Sequence, residues 1–325
     1  MPKPRSSDAK LARLRELRNE SASPRRVEEL RGALGDASNF VVAEAAEIAG
    51  EERIDELALD LAKAFDRFLE NPIKTDKLCR AKIAIVEALN KNEFGDEDFY
   101  LRGVKYVQME PVWGGSVDAA IPIRVACAFG LVRIRHRGVM ASLVDMLASA
   151  EKGERAGAAQ ALAYSGTEAA GLLLRLKVRL GDPEPEVISE CFDGILELGG
   201  VAAIPFVAEF LSSPNEAIQE AALLALGSSR KLEAFDILKE FAEEDPGRLQ
   251  SVALMALALL RQPRATDYLV EQISNESRAI ATSALEALAV HRFDPKLRDR
   301  VAAAVSKTRD RTLNGVFEKR FQVGD

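Results

Sequence analysis

Aromatic residues are scarce in this chain: they make up 6% of its 325 positions and include a single tryptophan. Large aromatic side chains ordinarily supply much of the buried area of a compact core, so the core here must be built from small aliphatic residues. Runs of Val, Ile, Thr and Tyr, which favour strands, are also few, whereas alanine and leucine dominate and favour helices. We therefore expect an all-α chain with at least about 60% of its residues in helices and no sheet.

Residues that carry chemistry are equally few. The two histidines, His136 and His291, lie far apart, and no GxGxxG, P-loop, HExxH or GxSxG motif is present. The three cysteines, Cys79, Cys127 and Cys191, form no CxxC pair and sit inside apolar helical patterns, which is typical of buried free thiols. The sequence thus predicts a protein without enzymatic activity, metal or cofactor.

Long apolar runs are missing as well. No stretch approaches the roughly 20 uncharged apolar residues that a membrane-spanning helix requires, and residues 1–10 contain no apolar signal region. These absences predict a cytoplasmic protein with no membrane partner.

The charge is acidic overall but unevenly distributed. The net charge is −7, with nine Lys/Arg against five Asp/Glu in residues 1–35 and the same numbers in residues 291–325. The middle of the chain therefore carries about −15. Because backbone phosphates demand a clustered positive surface, this balance argues against a dedicated nucleic-acid binder.

A short repeat is the clearest positive feature. A small residue, two variable residues, a second small residue and an aliphatic residue recur six times. The copies are Cys127/Gly130/Leu131, Ala158/Ala161/Leu162, Cys191/Gly194/Ile195, Ala222/Ala225/Leu226, Ala253/Ala256/Leu257 and Ala284/Ala287/Leu288. Successive aliphatic residues are 31, 33, 31, 31 and 31 positions apart. Looser copies occur upstream at Ile85/Ala88/Leu89 and Ala43/Ala46.

This spacing predicts stacked helical hairpins. Positions i, i+3 and i+4 share one face of a helix, so each copy forms a narrow, smooth stripe that lets a neighbouring helix come close. A second amphipathic segment precedes each copy, and a breaker separates the two. The breakers are Asp182-Pro183, Ser213-Pro214 and Asp245-Pro246. One such hairpin cannot bury both its faces, so hairpins stack on one another.

These repeats resemble a known family. The clearest copy runs from Val201 to Gly227, and over roughly residues 25–290 the chain is similar to bacterial HEAT-like repeats, including those related to phycobilin lyase repeats. The resemblance implies an all-α, right-handed α-solenoid of about eight stacked helical hairpins. In that family an arginine commonly sits three residues before the first small position. Here those positions hold Arg124, Arg155, Ile188, Gln219, Gln250 and Ala281. A polar ladder between repeats is therefore expected to be mostly missing.

We expect one continuous domain with three parts. Residues 1–22 form a basic leader with a capping helix, residues 23–290 form the solenoid, and residues 291–325 form C-terminal capping helices. Residues 1–7 are expected to be mobile. Apolar and basic residues alternate in 131–137 and 172–180, which taken locally indicates strands, but the repeat frame predicts helix and places Leu173, Leu176 and Leu180 on one face.

Trp113 is the first candidate binding residue. It lies in the connection from Gln108 to Asp118, beside a Gly-Gly pair that permits unusual backbone angles. It either fills the gap between the longer early hairpins and the regular array, or forms an exposed aromatic anchor on a loop.

Three more candidates come from the surface of the second helices. The resemblance places these helices on the concave side, where a row containing Phe129, Leu224 and Met255 holds no lysine or arginine. An apolar and acidic groove suits a protein or peptide partner. The alternative is that the three side chains are simply half-buried between adjacent helices.

A basic turn is the last candidate. Arg133, Arg135, His136 and Arg137 form either a small anion-binding patch or an ordinary solvated turn.

These features favour a non-enzymatic scaffold that binds a protein or peptide partner on the concave face or the Trp113 loop. The alternative is a HEAT-like nucleic-acid binder or DNA glycosylase-type enzyme. The phycobilin lyase resemblance adds a lyase or chromophore-chaperone role as a further alternative. No residue pattern specifies the partner or an oligomeric state.

Overall fold

A computed structural model describes residues 6–244 and 247–321 of the chain. The model is 76% helical, which confirms the predicted all-α class of stacked helical hairpins. The chain divides into two compact units, Met1–Ser165 and Gly166–Asp325. Whether the solenoid forms one continuous domain with capped ends stays a prediction.

The first unit consists of helices in antiparallel pairs. The helices are α1 (Ser6–Arg18), α2 (Pro24–Leu34), α3 (Asn39–Glu51), α4 (Ala58–Arg67), α5 (Pro72–Thr75), α6 (Arg80–Lys91), α7 (Glu97–Gly103), α8 (Ile121–Arg133), α9 (Val139–Leu147) and α10 (Lys152–Ser165). Short 3-10 turns occur at Asp55–Leu57 and Lys77–Cys79. The second helices α3, α6, α8 and α10 pack in sequence against one another, and each also packs against the first helix of its own hairpin.

The second unit repeats this arrangement. Its helices are α11 (Glu168–Leu180), α12 (Pro185–Gly199), α13 (Ile204–Ala208), α14 (Glu216–Ser228), α15 (Ala234–Glu244), α16 (Gln250–Leu259), α17 (Pro263–Asn275), α18 (Arg278–Leu288), α19 (Pro295–Thr308) and α20 (Arg311–Phe321). Short 3-10 turns occur at Gly200–Ala203, Glu209–Ser212 and Ala289–His291. The row of second helices here is α12, α14, α16, α18 and α20.

Small residues allow the second helices to approach closely. All six predicted stripes are buried, as expected for a stacking face. A Cβ atom added at Gly227 would lie 2.4 Å from the Ala256 carbonyl oxygen of the next second helix. A Cβ at Gly50 would lie 2.7 Å from Ala88 Cα in the first unit. Both distances are shorter than van der Waals contact, so only glycine fits at these crossings.

Where the residue before a stripe is polar, its side chain makes a recurring hydrogen bond to the preceding helix; Ile188 and Ala281 have no polar group for this contact. Gln219 Nε2 donates to the Leu211 carbonyl and Gln250 Nε2 to the Ala242 carbonyl, both at 2.9 Å. Arg155 Nη1 likewise donates to the Ser149 carbonyl at 3.0 Å. Each side chain satisfies a carbonyl near the end of the preceding first helix. The two glutamines thus join the second helix to the first helix of the same hairpin. Being uncharged, they cannot form an ion pair with a neighbouring repeat.

The breakers lie between helices where they are described. Asp182-Pro183 separates α11 from α12, and Ser213-Pro214 precedes α14, whose cap residue Asn215 accepts a hydrogen bond from the Ala217 N–H at 3.0 Å. The third breaker, Asp245-Pro246, lies outside the described residues.

One described segment, Pro185–Ser212, is long and apolar enough to cross a membrane by length and composition alone. It contains two helices of successive hairpins, because α12 ends at Gly199 and Gly200 adopts φ 54° and ψ −138°. The segment also carries Glu197 and Glu209. The turn at Gly200 is what allows α13 to fold back beside the repeat stack.

The structure differs from two local expectations, one at the Trp113 hairpin and one on α11. The prediction of no sheet is wrong, because β1 (Met109–Val112) and β2 (Gly115–Asp118) pair as an antiparallel hairpin. The segment 172–180 is helical, as the repeat frame predicts. Leu172, however, shares the exposed face with Leu176 and Leu180, whereas Leu173 is half-buried.

The ends of the described chain pack as helices. Leu14 and Leu17 of α1 are buried, and so are Val301 and Val305 of α19 and Leu313 of α20. Of the residues expected to be mobile, 1–5 lie outside the described part, while positions 6 and 7 begin α1. Their mobility stays a prediction.

Candidate functional site

The β-hairpin of the first unit presents Trp113 to solvent. In its register Met109 pairs with Asp118 and Val112 with Gly115, so Trp113 and Gly114 form a two-residue loop. Gly114 has φ +89°, a left-handed conformation that favours glycine. The Trp113 side chain at this tip is fully exposed. The hairpin thus places the chain's one tryptophan where it contacts no core.

Asp118 fixes one end of the hairpin. Its Oδ1 accepts hydrogen bonds from the backbone N–H of Ala120 at 2.9 Å and of Gln108 at 3.1 Å. Its Oδ2 accepts from Arg124 Nη1 at 2.6 Å. Burial alone would raise the pKa of Asp118, but the two backbone donors and the Arg124 guanidinium together hold it below its ordinary value.

Arg124 connects this clamp to the following hairpin. Its Nε and Nη2 each donate to a different carboxylate oxygen of Glu154 at 3.0 Å, and its Nη1 also donates to the Tyr106 carbonyl at 2.8 Å. Such bidentate pairing fixes the orientation of both groups. The base of the hairpin is therefore tied to α8 and α10.

Glu110 forms a second clamp from β1. The side chain is 1% exposed, and its Oε1 accepts from the backbone N–H of Leu78 at 2.6 Å and from Gln108 Nε2 at 2.7 Å. Glu110 Oε2 has no hydrogen-bond partner among the described residues. Leu78 and Cys79 have φ of 59° and 54°, a left-handed conformation that is strained for such residues. The Glu110 contact helps to hold that turn.

A buried ion pair supports the same turn. Lys82 Nζ lies 2.9 Å from Asp76 Oδ2, and both side chains are completely buried. Asp76 also accepts hydrogen bonds from the backbone N–H groups of Ala81 and Lys82, and its carbonyl accepts from Gln108 Nε2 at 3.0 Å. Sequence reasoning missed this network. The available signal is that Lys82 lies three residues before Ile85, the position where the family carries its arginine.

Apolar side chains extend from the tip along the hairpin. The exposed members are Val107, Met109, Val112 and Val117. In the strand register Val112 and Val117 lie on one face of the hairpin and Met109 on the other, so these side chains surround the strands below the tip rather than form one flat patch. Exposed apolar groups beside an aromatic residue are typical of binding surfaces. We refer to these four residues and Trp113 as the Trp113 surface.

The other predicted binding residues do not join Trp113 in one site. Phe129 lies on α8 of the first unit, half-buried, with its ring centroid 5.4 Å from that of the exposed Tyr164. Leu224 and Met255 lie half-buried on α14 and α16 of the second unit. All three side chains are therefore only partly accessible to a partner, and their role in binding stays a prediction.

Met255 has basic neighbours that its own row does not predict. It lines a cavity of about 590 Å³ together with Glu286, Lys319 and Arg320, and Arg320 Nη2 lies 2.7 Å from Glu286 Oε1. The basic residues come from α20, which continues the row of second helices.

Acidic residues lie at the other end of this row. Desolvation is the main cause that raises the pKa of Asp193 to about 6, and the charges of Glu190 and Glu197 add to it.

The candidate anion patch is partly occupied by internal contacts. Arg133 Nη2 donates to the Phe94 carbonyl and to the Tyr100 hydroxyl. The Gly138 N–H donates to His136 Nδ1 at 3.1 Å, so the ring proton belongs on Nε2, which lies 2.9 Å from Glu97 Oε1. Arg135 and Arg137 are exposed. Anion binding by this turn stays a prediction that depends on these two arginines.

Groups suited to catalysis or metal binding are not gathered together in the described part. His291 Nε2 lies 2.8 Å from the Ala258 carbonyl, and no group of three His, Cys, Asp or Glu there could hold a metal ion. The three cysteines are buried thiols, as predicted. Burial raises the pKa of Cys79 and of Cys191 to about 12, which keeps both protonated and unreactive near neutral pH.

Comparisons with known proteins agree with the repeat architecture. Residues 172–258 match the family model for HEAT repeats. No curated protein matches the chain.

Three solved structures are distantly similar. The complex of CpcE and CpcF of phycocyanin lyase from Nostoc sp. PCC7120 is 18% identical over 89% of this chain and 95% of that chain, with a TM-score of 0.36. Human deoxyhypusine hydroxylase in complex with glycerol is 18% identical over 79% and 91%, with a TM-score of 0.31. An engineered protein is 16% identical over 96% and 98%, with a TM-score of 0.35. These scores carry no argument about function. The matched model shows HEAT repeats over residues 172–258, and the buried stripes continue the same helical spacing on both sides of that segment.

Proposed function

We propose that this chain is a non-enzymatic protein-interaction scaffold and that the Trp113 surface contacts its partner protein. The observation that carries the proposal is a fully exposed tryptophan at the tip of a hairpin whose base is clamped by buried charged groups. The full exposure of Trp113 favours an aromatic anchor over a structural plug.

Rigidity makes this surface suitable for binding. A tryptophan offers a large contact area with only two side-chain torsions, and residues of this type dominate the energy of many interfaces. The clamps at Asp118 and Glu110 order the hairpin before any partner arrives. A preordered surface loses less conformational entropy on binding, so more of the contact energy appears as affinity.

The acidic residues of α12 support a protein partner over a nucleic acid at that end of the row of second helices. In the second unit α12 carries Asp193, Glu190 and Glu197; desolvation first, and then the charges of the two glutamates, raise the pKa of Asp193 to about 6. Carboxylates that repel one another also repel phosphate. Leu224 and Met255, on the same row of helices, offer a secondary apolar contact in this proposal.

A quantitative pull-down tests the proposal. Wild-type protein, Trp113→Ala and the control Phe293→Ala are used as baits in a native lysate of the source cells, with isotope labelling to compare recoveries. Phe293 is an exposed aromatic residue of the second unit and is therefore a matched control. We expect a protein that wild type and Phe293→Ala retain and Trp113→Ala loses, with at least about a tenfold weaker Kd for the purified partner.

Thermal unfolding separates binding from folding. Trp113→Ala removes no buried contact, so its Tm should equal that of wild type. Partner loss accompanied by a lower Tm would contradict a direct contact. Tight, salt-sensitive binding to duplex or single-stranded DNA, with no Trp113-dependent protein, would favour the nucleic-acid alternative instead.

A further inference from the structure

Helix α11 of the second unit is apolar on two opposite faces. Its buried face consists of Ala170, Leu174 and Val178. Its opposite face carries three leucines, one on each successive turn, and their exposures are 63% for Leu172, 54% for Leu176 and 77% for Leu180. We call these three residues the leucine stripe, which is about 12 Å long. A helix ordinarily buries its apolar faces, whereas α11 leaves one of its two apolar faces open.

Other first helices of the same unit show what normally occupies these positions. Aligned on their buried residues at i, i+4 and i+8, they carry polar or small residues where α11 has its leucines. The equivalent residues are Asp236, Glu240 and Glu244 in α15, Asp267, Glu271 and Asn275 in α17, and Asp299, Ala303 and Lys307 in α19. All of them are exposed. The repeat therefore does not need leucine here for its own packing.

Two arginines flank the stripe on one side. The Arg175 guanidinium lies 4.6 Å from the Phe206 ring centroid, and the Arg179 guanidinium lies 4.7 Å from it. Arg179 Nη2 also lies 2.7 Å from Glu209 Oε2, whereas Arg175 has no carboxylate partner among the described residues. Stacking on an aromatic face holds the charges in place beside the leucines. The flank thus holds two fixed guanidinium groups, of which Arg179 is already paired with Glu209 and Arg175 remains available to a partner's carboxylate.

A cavity lies at the N-terminal end of the stripe. It has a volume of about 380 Å³ and is lined by Leu172 and Arg175 from α11 and by Ile195 and Leu198 from α12. Gly171 also lines it and leaves space there because it has no side chain. An apolar side chain of a docked partner fits this cavity, with the rest of the partner lying along the stripe.

The charge pattern favours a different chain over a second copy of this one. A twofold axis that packs two copies of α11 antiparallel brings the same flank of each helix together. Arg175 and Arg179 would then face the identical arginines of the other copy, and like charges repel. An acidic partner has no such conflict.

We infer that the leucine stripe is a docking surface for an amphipathic helix whose apolar face is bordered by acidic residues. The partner's apolar side chains cover the three leucines, and its carboxylates pair with Arg175 and Arg179. This surface lies on the second unit and is independent of the Trp113 surface.

Two labelled synthetic peptides test the inference on the full chain. Both are amphipathic helices of about 18 residues with the same leucine face, one flanked by glutamates and the other by lysines. Fluorescence anisotropy should give at least about tenfold tighter binding of the glutamate peptide. Leu176→Glu should weaken it at least about tenfold, while the control Leu232→Glu, at an exposed leucine elsewhere in the unit, should not. Arg175→Glu should reverse the preference between the peptides.

Further measurements decide the remaining outcomes. Leu172→Asp copies the residue that α15 carries at the equivalent position, so it provides a folded variant if Leu176→Glu proves unstable. Absent binding, equal binding of both peptides, or binding that survives these leucine substitutions overturns the inference. A dimer in sedimentation velocity that Leu176→Glu abolishes, or stripe-dependent binding to phosphatidylserine vesicles in place of the glutamate peptide, overturns it in favour of a second copy or a membrane. Trp113→Ala should leave peptide binding unchanged, which separates this test from that of the proposed function.

Discussion

Ala225 illustrates how strongly single residues control the stacking of second helices. It is buried in α14 at the packing face toward α16, where Gly227 approaches the Ala256 backbone. A side chain larger than a methyl group has to push two helices apart or adopt a strained rotamer. The small residues of the stripes therefore set the distance between neighbouring hairpins.

Ala225→Phe should lower the free energy of unfolding by about 1–3 kcal/mol through overpacking. Urea unfolding followed by circular dichroism measures the change. Ala303→Phe is the matched control, because Ala303 is exposed on α19 and its enlargement meets no neighbouring helix. Equal destabilisation by both substitutions would mean that close helix approach at Ala225 is not the cause.

At the scale of elements, helices were far easier to predict than the hairpin. The 31-residue spacing fixes the register of each second helix, because a stripe at i, i+3 and i+4 has only one face that can be buried. The segment around Trp113 has no such period, and its strands depend on Asp76, Lys82 and Glu110, which lie up to 34 residues apart in the chain. Contacts of that kind cannot be read from local pattern.

The same limit applies to the exposed side of α11. Helical spacing groups Leu173, Leu176 and Leu180 within one broad arc, and the sequence alone does not show which leucines face the hairpin. The structure buries Leu174 and leaves Leu172 exposed. Once the buried residues of α15 and α17 are known, these helices can be aligned with α11. The alignment shows aspartate at the positions equivalent to Leu172, so leucine there is unusual.

Glu110→Ala should loosen the hairpin as a unit. The substitution leaves the part-buried Leu78 N–H without its acceptor and removes one acceptor from the buried Gln108 amide. Such losses cost about 1–3 kcal/mol. Hydrogen exchange in residues 107–120 should become faster and the free energy of unfolding should fall. Ser116→Ala, at an exposed position of β2, is the control and should change neither. Unchanged exchange in Glu110→Ala would show that the Asp118 clamp alone orders the hairpin.

At the scale of the whole molecule, a stack of repeats needs special residues at its ends. Each inner hairpin buries one side of its second helix against the preceding hairpin and the other side against the following one. In the second unit α19 packs on α17 and α20 packs on α18, and Val301, Val305 and Leu313 are buried there. The outer surfaces of these two helices carry most of the nine Lys/Arg found in residues 291–325. That combination is expected of a cap, with an apolar inner side and a charged outer side.

Deletion of residues 294–325 should therefore expose the apolar side of α17 and α18. We expect a lower Tm and concentration-dependent aggregation, because the uncovered leucine and alanine face becomes available to other molecules. A variant that keeps the helices but changes only their outer charge, Lys307→Glu, serves as the control and should retain the wild-type Tm. Differential scanning calorimetry and light scattering measure the two effects. If the deleted protein remained soluble and melted at the wild-type temperature, α19 and α20 would not act as a cap, and their basic surface would have to be explained by binding.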